Sequence, residues 1–209
     1  MADRADTKAS YDALAGIYLP VGIAVVAIVF AALGFAVWRY RDRGHHPAPS
    51  TRTGNLRVEV PFAMVLTLVA AGLITLSLSS ISEEQSLADD PALEIEVTAF
   101  QWGWRFDYPG GRSEVGDQLD PPQLTVPTGV PVRFSMTSRD VIHSFWIPGL
   151  RFKRDAFPQR TTRFDLLFEN DGFGQCAEFC GLEHANMDFE VRAYEPVVFE
   201  SWLEAGAER

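Results

Sequence analysis

The sequence predicts a membrane-anchored protein in which a hairpin of two transmembrane helices is followed by an exterior all-β domain, a sandwich or barrel. Three observations predict it. Ile17 to Trp38 and Val60 to Ile81 are uncharged 22-residue runs. At about 1.5 Å per residue, each can cross a hydrocarbon core about 30 Å thick. From Leu93 onward the apolar period becomes two, as in half-buried strands. Cys176-Ala-Glu-Phe-Cys-Gly-Leu-Glu-His-Ala-Asn-Met187 then sets two thiols, an imidazole and a thioether within twelve residues, a concentration of soft and borderline metal donors.

Residues 1–16 mix Asp3, Arg4, Asp6, Lys8 and Asp12 with small residues and read as an exterior lead without a function of its own. A cleaved secretory signal would have a shorter apolar core with its positive charges in front, whereas here they follow. Pro20 lies near the outer end of the first span, where a missing backbone donor costs least. Trp38 and Tyr40 stand as interfacial anchors. Arg39, Arg41, Arg43, Arg52 and Arg57 fall between the spans, while Ser82 to Leu93 has no Lys or Arg and holds Glu83, Glu84, Asp89 and Asp90. The positive-inside rule makes loop 39–59 cytoplasmic and both termini exterior. The division is thus a lead over 1–16, a hairpin over 17–81 and an exterior domain over 82–209. Gly44, Pro47, Pro49 and Gly54 make the loop irregular. Glu59, at the cytoplasmic mouth of the second span, either snorkels to the interface or takes up protons.

From Ser82 the chain is long enough to bury a core of its own. It carries 11 basic and 23 acidic residues, a net of −12. That balance argues against nucleic acid and for a basic partner drawn in by long-range attraction, solubility being the plain alternative. Ile95, Val97 and Ala99 alternate, and Phe100, Trp102, Trp104 and Phe106 continue the alternation as an aromatic face. Further strands are expected over Val130 to Met136, Thr161 to Leu167 and Asp188 to Ala193. Turn signals at Pro109-Gly-Gly111, Pro121-Pro122, Pro148-Gly149 and Asn170-Asp-Gly172 separate the strands. Phe199, Trp202 and Leu203 recur at helical spacing within Pro196 to Ala207, a short closing helix.

One thiolate followed at short spacing by His and Met, with a second His far upstream, is the ligand set of a copper electron-transfer centre. Cys180, His184, Met187 and His143 supply it, and Cys176 adds a second thiolate able to bridge a second copper. The chain has two Cys and four His, and only His45 and His46, in the cytoplasmic loop, lie outside this set. The competing reading is a disulfide between Cys176 and Cys180 in an oxidising compartment, though so small a loop gains little from closure. Met187 would be a weak axial ligand, and two bridging thiolates would spread one charge over two metals, so a one-electron relay is expected. Gly172, Gly174 and Gly181 flank the loop and let backbones approach closely. Glu178 lies between the thiols. Its carbonyl is a candidate ligand, and its carboxylate is either a surface group or the holder of a hard cation such as magnesium.

With two spans and this motif, the chain resembles subunit II of cytochrome c oxidase, a haem-copper respiratory oxidase. The resemblance covers both spans and nearly all of the exterior domain. It is carried most specifically by Asp140-Val-Ile-His-Ser-Phe-Trp146, Lys153-Arg-Asp-Ala-Phe-Pro158 and Phe173-Gly-Gln-Cys-Ala-Glu-Phe-Cys-Gly-Leu-Glu-His-Ala-Asn-Met187. It implies a cupredoxin-like Greek-key barrel with a binuclear CuA copper centre. Cys176 and Cys180 would be bridging thiolates, His143 and His184 terminal ligands, with Met187 and the Glu178 carbonyl completing the set. It implies magnesium on the Glu178 carboxylate where this subunit meets subunit I, and Trp102 as the residue through which electrons enter. Glu59 matches the acid at the mouth of the family's K proton pathway. Two departures stand out: Gly103 replaces a usual aromatic, which bears on donor docking, and the usual Trp-Thr start of the second span is missing around Pro61.

The resemblance further implies partners and a place. These are subunit I and other oxidase subunits, proton pumping coupled to oxygen reduction, and a bacterial cell membrane with the copper domain on the periplasmic side. No Cys-x-x-Cys-His occurs, so no haem c is fused to the chain and the donor is a separate cytochrome c or a c-type subunit. Two alternatives stay open from residues alone: a membrane-anchored copper chaperone, a thioredoxin-like class usually with one span, and a structural domain stapled by a disulfide.

Overall fold

In β1 (Leu93–Phe100) strict alternation buries Leu93, Ile95, Val97 and Ala99, while Glu94 and Glu96 face solvent. The same alternation returns in Pro131–Ser138 and Asp188–Tyr194 of the computed structural model, which describes residues 5–41, 54–84, 87, 91 and 93–207. The middle of the loop between the two spans, with Arg43, His45, His46, Pro47, Pro49 and Arg52, lies outside the described residues, as do Asp89 and Asp90 of the acidic linker. The chain divides into two compact units, Asp12–Ile81 and Met1–Tyr11 with Ser82–Arg209.

The smaller unit is a helical hairpin. α1 (Thr7–Tyr40) starts where Asp6 accepts the Ala9 N–H on its carboxylate at 2.9 Å, an N-cap. The helix therefore begins ten residues ahead of the apolar run, and Pro20 lies inside it. α2 (Leu56–Glu84) is capped by Asn55, whose Oδ1 accepts the Arg57 N–H, while Glu59 reaches back to the Asn55 N–H at 2.7 Å. Glu59 thus does local work at a helix N-terminus, a site that favours a carboxylate. Both helices are long and apolar enough to cross a membrane. Tyr18 pins one to the other, donating to the Leu73 carbonyl at 2.7 Å and meeting Ser77 Oγ at 2.6 Å. In lipid such polar contacts find no water to replace them.

The larger unit is a sandwich of two five-stranded sheets. One has the order β3-β2-β1-β5-β8, from β2 (Gly103–Asp107), β3 (Ser113–Asp117), β5 (Pro131–Ser138) and β8 (Thr162–Leu167) around β1. The other has the order β4-β10-β9-β6-β7, from β4 (Gln123–Pro127), β6 (His143–Ile147), β7 (Phe152–Ala156), β9 (Gly172–Cys176) and β10 (Asp188–Tyr194). β1 runs parallel to β5 and β10 parallel to β4, and the other pairs are antiparallel. Strands adjacent in space but distant in sequence give the cupredoxin-like Greek-key arrangement. Among the described residues no helix alternates with the strands, so the thioredoxin-like layout expected of the chaperone alternative is absent. The closing helix forms as α3 (Pro196–Ala207), with Trp202 held under the Arg112 guanidinium at 3.6 Å.

The expected aromatic face is two pieces. The chain turns at Gln101 and Trp102, so Phe100 ends β1 and only Trp104 and Phe106, on β2, are fully buried. The inner faces of the two sheets fill the core, and each carries its own stack: Phe134 on Phe164 at 5.3 Å in the first sheet and Phe145 on Phe189 at 4.8 Å in the second. Trp104 meets Phe145 and Phe189 edge-on at 5.6 and 5.5 Å. Each such pair contributes about 0.5–1.5 kcal/mol beyond its buried area. The lead packs too: the Ala5 carbonyl accepts the Leu167 N–H at 3.1 Å, and Thr7 Oγ1 donates to the Leu150 carbonyl at 2.6 Å.

Candidate metal centre

Two sequence segments meet at one end of the sandwich. His143 opens β6, its ring wholly buried and edge-on to Trp104 at 6.2 Å. Cys176 closes β9, and the residues from Ala177 to Met187 form the loop that returns to β10. β6 and β9 are paired, Phe145 lying opposite Cys176, so sheet register brings His143 to the thiol. The loop is closed at its base by the Cys176 N–H donating to the Met187 carbonyl at 3.0 Å, and the Trp104 indole donates to that oxygen at 3.3 Å.

The donor atoms converge. Cys176 Sγ and Cys180 Sγ are 3.8 Å apart, far beyond the roughly 2.05 Å of a disulfide, so both are free thiols and the disulfide reading fails in this structure. His143 Nδ1 lies 3.9 Å from Cys176 Sγ, and His184 Nδ1 lies 3.7 Å from Cys180 Sγ. Met187 Sδ is 3.9 Å from Cys180 Sγ, and the Glu178 carbonyl oxygen is 3.3 Å from Cys176 Sγ. All six sequence-predicted donors are therefore in one place. His143, Cys176 and Cys180 bring their ligand atoms within 4.8 Å of one another. Glu178 is exposed and meets the Cys176 thiol through its main-chain oxygen, and Glu59 belongs to the other compact unit.

The thiols are electrostatically unequal. Burial pushes the Cys176 thiol up, but hydrogen bonding to His143 and to the Ser144 backbone outweighs it and brings it to about 7. Burial, and then the charge of Cys176 beside it, push Cys180 up to about 12. One thiolate forms readily and then keeps its neighbour protonated, a conflict that a cation between the sulfurs would remove. Two thiolates, two imidazoles, a thioether and a carbonyl in a mostly buried pocket fit copper by donor chemistry.

Asp140, which sequence reasoning passed over, holds His143 Nε2 at 2.8 Å and so turns Nδ1 toward the sulfurs. Carboxylate partners of this kind orient metal-binding imidazoles, and the signal available was an acid three residues before a candidate ligand. Its other oxygen accepts the Gln101 N–H at 2.7 Å. The Trp102 indole donates to the Cys180 carbonyl at 3.2 Å, which sets the expected electron-carrying residue against the ligand loop.

The glycines separate on inspection. Gly181 has φ +121°, and a Cβ there would come within 3.1 Å of the Trp102 ring; at Gly174 a Cβ would overlap the Phe189 ring. Gly172 needs no such room, since nothing lies within 4 Å of its Cβ position. At Gly103 a Cβ would overlap the Gly116 carbonyl across the β2–β3 ladder, so this turn has no space for the family's usual aromatic.

Comparison with known proteins agrees with this geometry. Residues 117–194 match the family model described as cytochrome C oxidase subunit II, periplasmic domain. The chain is 29% identical over 227 residues to the probable cytochrome c oxidase subunit 2 of Streptomyces coelicolor, covering 89% of this chain and 70% of that protein. It is 31% identical to cytochrome c oxidase subunit 2 of Alkalihalophilus pseudofirmus, covering 87% and 54%. The crystal structure of the periplasmic domain of subunit II of cytochrome oxidase from Bradyrhizobium japonicum superposes with a TM-score of 0.53 at 30% identity, covering 58% of this chain and 98% of that one. The likeness takes in both the sandwich and the ligand loop, and the chain belongs to the cytochrome c oxidase subunit II family.

Proposed function

We propose that this chain is the electron-accepting subunit of a cytochrome c oxidase, taking electrons singly from a cytochrome c and passing them toward haem in subunit I. The observation that carries the reading is the convergence of six donors on two unpaired thiols 3.8 Å apart. Two copper ions held by Cys176, Cys180, His143, His184, Met187 and the Glu178 carbonyl would supply one-electron redox chemistry with little change of geometry.

The chain's own residues serve that chemistry in three ways. Asp140 fixes the His143 tautomer and ring plane, and Trp104 braces both that ring and the Met187 carbonyl. The sandwich holds Cys176 and His143 on paired strands, so the donors need not reorganise between oxidation states. Burial of His143, Cys176, Cys180 and Met187 excludes water from the sulfurs. Trp102, half-buried and bonded to the Cys180 carbonyl, is the route inward for an electron arriving at the surface.

Four finer assignments belong to the same reading. Magnesium would sit on the exposed Glu178 carboxylate at the boundary with subunit I. Glu59 would mark the mouth of a proton pathway serving proton translocation in the complex. The donor would be a basic cytochrome c, or a c-type subunit, drawn to an acidic exterior domain. The protein would lie in a bacterial cell membrane with both termini on the periplasmic side; the packing of Ala5 and Thr7 on the β-domain supports the N-terminal half of that topology.

The test is copper loading of the full chain in detergent, with metal analysis and electron paramagnetic resonance. Two coppers sharing one unpaired electron, with hyperfine structure from both nuclei, are expected, together with rapid reduction by ferrous cytochrome c. A single copper with an ordinary four-line pattern, inert toward cytochrome c, would refute the reading and favour a copper-carrying role.

A further inference from the structure

Gln101 looks like an ordinary turn residue: polar, exposed, between two strands. Its bonds say otherwise. The side-chain Nε2 donates to the Cys180 carbonyl at 2.6 Å, closer than the 3.2 Å of the Trp102 indole on the same oxygen. A carbonyl has two lone pairs and can accept both. The Gln101 main-chain N–H donates to Asp140 Oδ2 at 2.7 Å, and Asp140 Oδ1 holds His143 Nε2 at 2.8 Å. One residue therefore connects a donor on β6, through Asp140, to a donor on the ligand loop, through its own amide.

Beneath it the loop has been shaped to fit. Gly181 takes φ +121°, and a Cβ there would stand 3.2 Å from Gln101 Nε2 and 3.1 Å from Trp102 Cζ2, so both side chains lie on bare backbone. The indole alone makes one long bond to the loop and is only half-buried, which leaves it some freedom to tilt. A second, shorter bond to the same oxygen from the adjacent residue removes that freedom by fixing the turn that bears the indole.

We propose that Gln101 is a positioning residue: its side-chain amide braces the β1–β2 turn on the Cys180 carbonyl and so holds the Trp102 indole against the metal-ligand loop. Its consequence for electron transfer rests on the function proposed above, whereas the brace itself does not. Gln101→Glu keeps the length and removes the donor, setting a carboxylate against a carbonyl. Gln101→Ala removes the group altogether.

Two readouts test this on the full chain in detergent. With nitrogen-labelled tryptophan, five indole N–H signals are available, from Trp38, Trp102, Trp104, Trp146 and Trp202. In metal-free protein both variants are expected to shift the Trp102 signal selectively and to speed its exchange with solvent about two- to tenfold, the factor of one ordinary hydrogen bond. After copper loading, both variants are expected to slow electron uptake from cytochrome c in kcat with KM unchanged, and to slow it no further when Trp102→Phe is already present. An unmoved Trp102 signal in either variant would overturn the proposal. So would equal slowing on the wild-type and Trp102→Phe backgrounds, because Gln101 would then act elsewhere than through the indole. Should the wild-type chain accept no electrons from cytochrome c, the oxidase reading would fall while the indole signals still decided the brace.

Discussion

The two histidines of the centre are held in different ways. His143 stands on a strand, wholly buried, with Asp140 on its outer nitrogen and Trp104 edge-on to its ring. His184 stands in a 3-10 turn of the ligand loop, half-buried, with the ring of Phe179 edge-on at 5.8 Å. Phe179 and Leu182 beside it are 78% and 85% exposed, which sets the loop side at the surface. The difference teaches that the sandwich supplies rigidity to one half of the site, while the other half must be tied down bond by bond. The ties go to main-chain oxygens: Gln101 and Trp102 hold the Cys180 carbonyl, and Trp104 and the Cys176 N–H hold the Met187 carbonyl.

The hardest way to break this contrast is at the sulfurs, which both halves share. Cys176→Ser is expected to abolish the coupled two-copper spectrum, leaving at most one copper by metal analysis; Cys180→Ser should do the same, and a surviving coupled spectrum in either would show that the thiols do not bridge. Next comes the residue that serves both halves. Trp104→Ala removes a fully buried indole and should lower unfolding free energy by about 3–5 kcal/mol in urea titration, besides loosening the Met187 carbonyl. A loss under about 1 kcal/mol would mean that the core does not support the site as described.

Asp140→Asn against Phe179→Ala compares the histidines directly. Loss of a carboxylate orienting a ligand histidine typically weakens metal binding about 10- to 100-fold, and competition with a copper chelator should show that factor for Asp140→Asn. Phe179→Ala should change affinity far less while changing the KM for cytochrome c. Equal effects would erase the distinction between strand-held and loop-held ligands. The smallest effect tests spacing within β9. Gly174→Ala forces a methyl into the Phe189 ring and should cost about 1–3 kcal/mol, whereas Gly172→Ala has open space and should stay within about 0.5 kcal/mol of wild type.

The converging donor set was legible because five side chains of rare types, four in a short motif and one outlying histidine, stood out with only two Cys and four His to place. The spans were legible because hydrocarbon demands long uncharged runs, which few other structures need. Strands over 130–136, 161–167 and 188–193 appeared where alternation was strict, and β5, β8 and β10 begin within one residue of them. β3, β4, β6, β7 and β9 gave no such signal. β6 buries His143, Ser144 and Phe145 in succession, and β3 alternates only between exposed and half-buried positions with one apolar side chain, so neither shows an apolar period of two. The aromatic stripe misled for a related reason: period two continues through a tight turn, though the strand does not.

By itself the sequence determined which metal donors the chain carries and which two runs are long and apolar enough to cross a membrane, since both follow from residue type and local spacing. Only the tertiary structure decided how His143 comes to face Cys176, through β6–β9 register, and why the thiols stay unjoined at 3.8 Å. It alone gave Asp140 and Gln101 their parts and turned Glu59 back on its own helix terminus. The physical reason is that a ligand is named by the atoms it owns, whereas a support is named by the atoms it meets. Those meetings arise between segments far apart in the chain, from sheet pairing and core packing that no local pattern encodes.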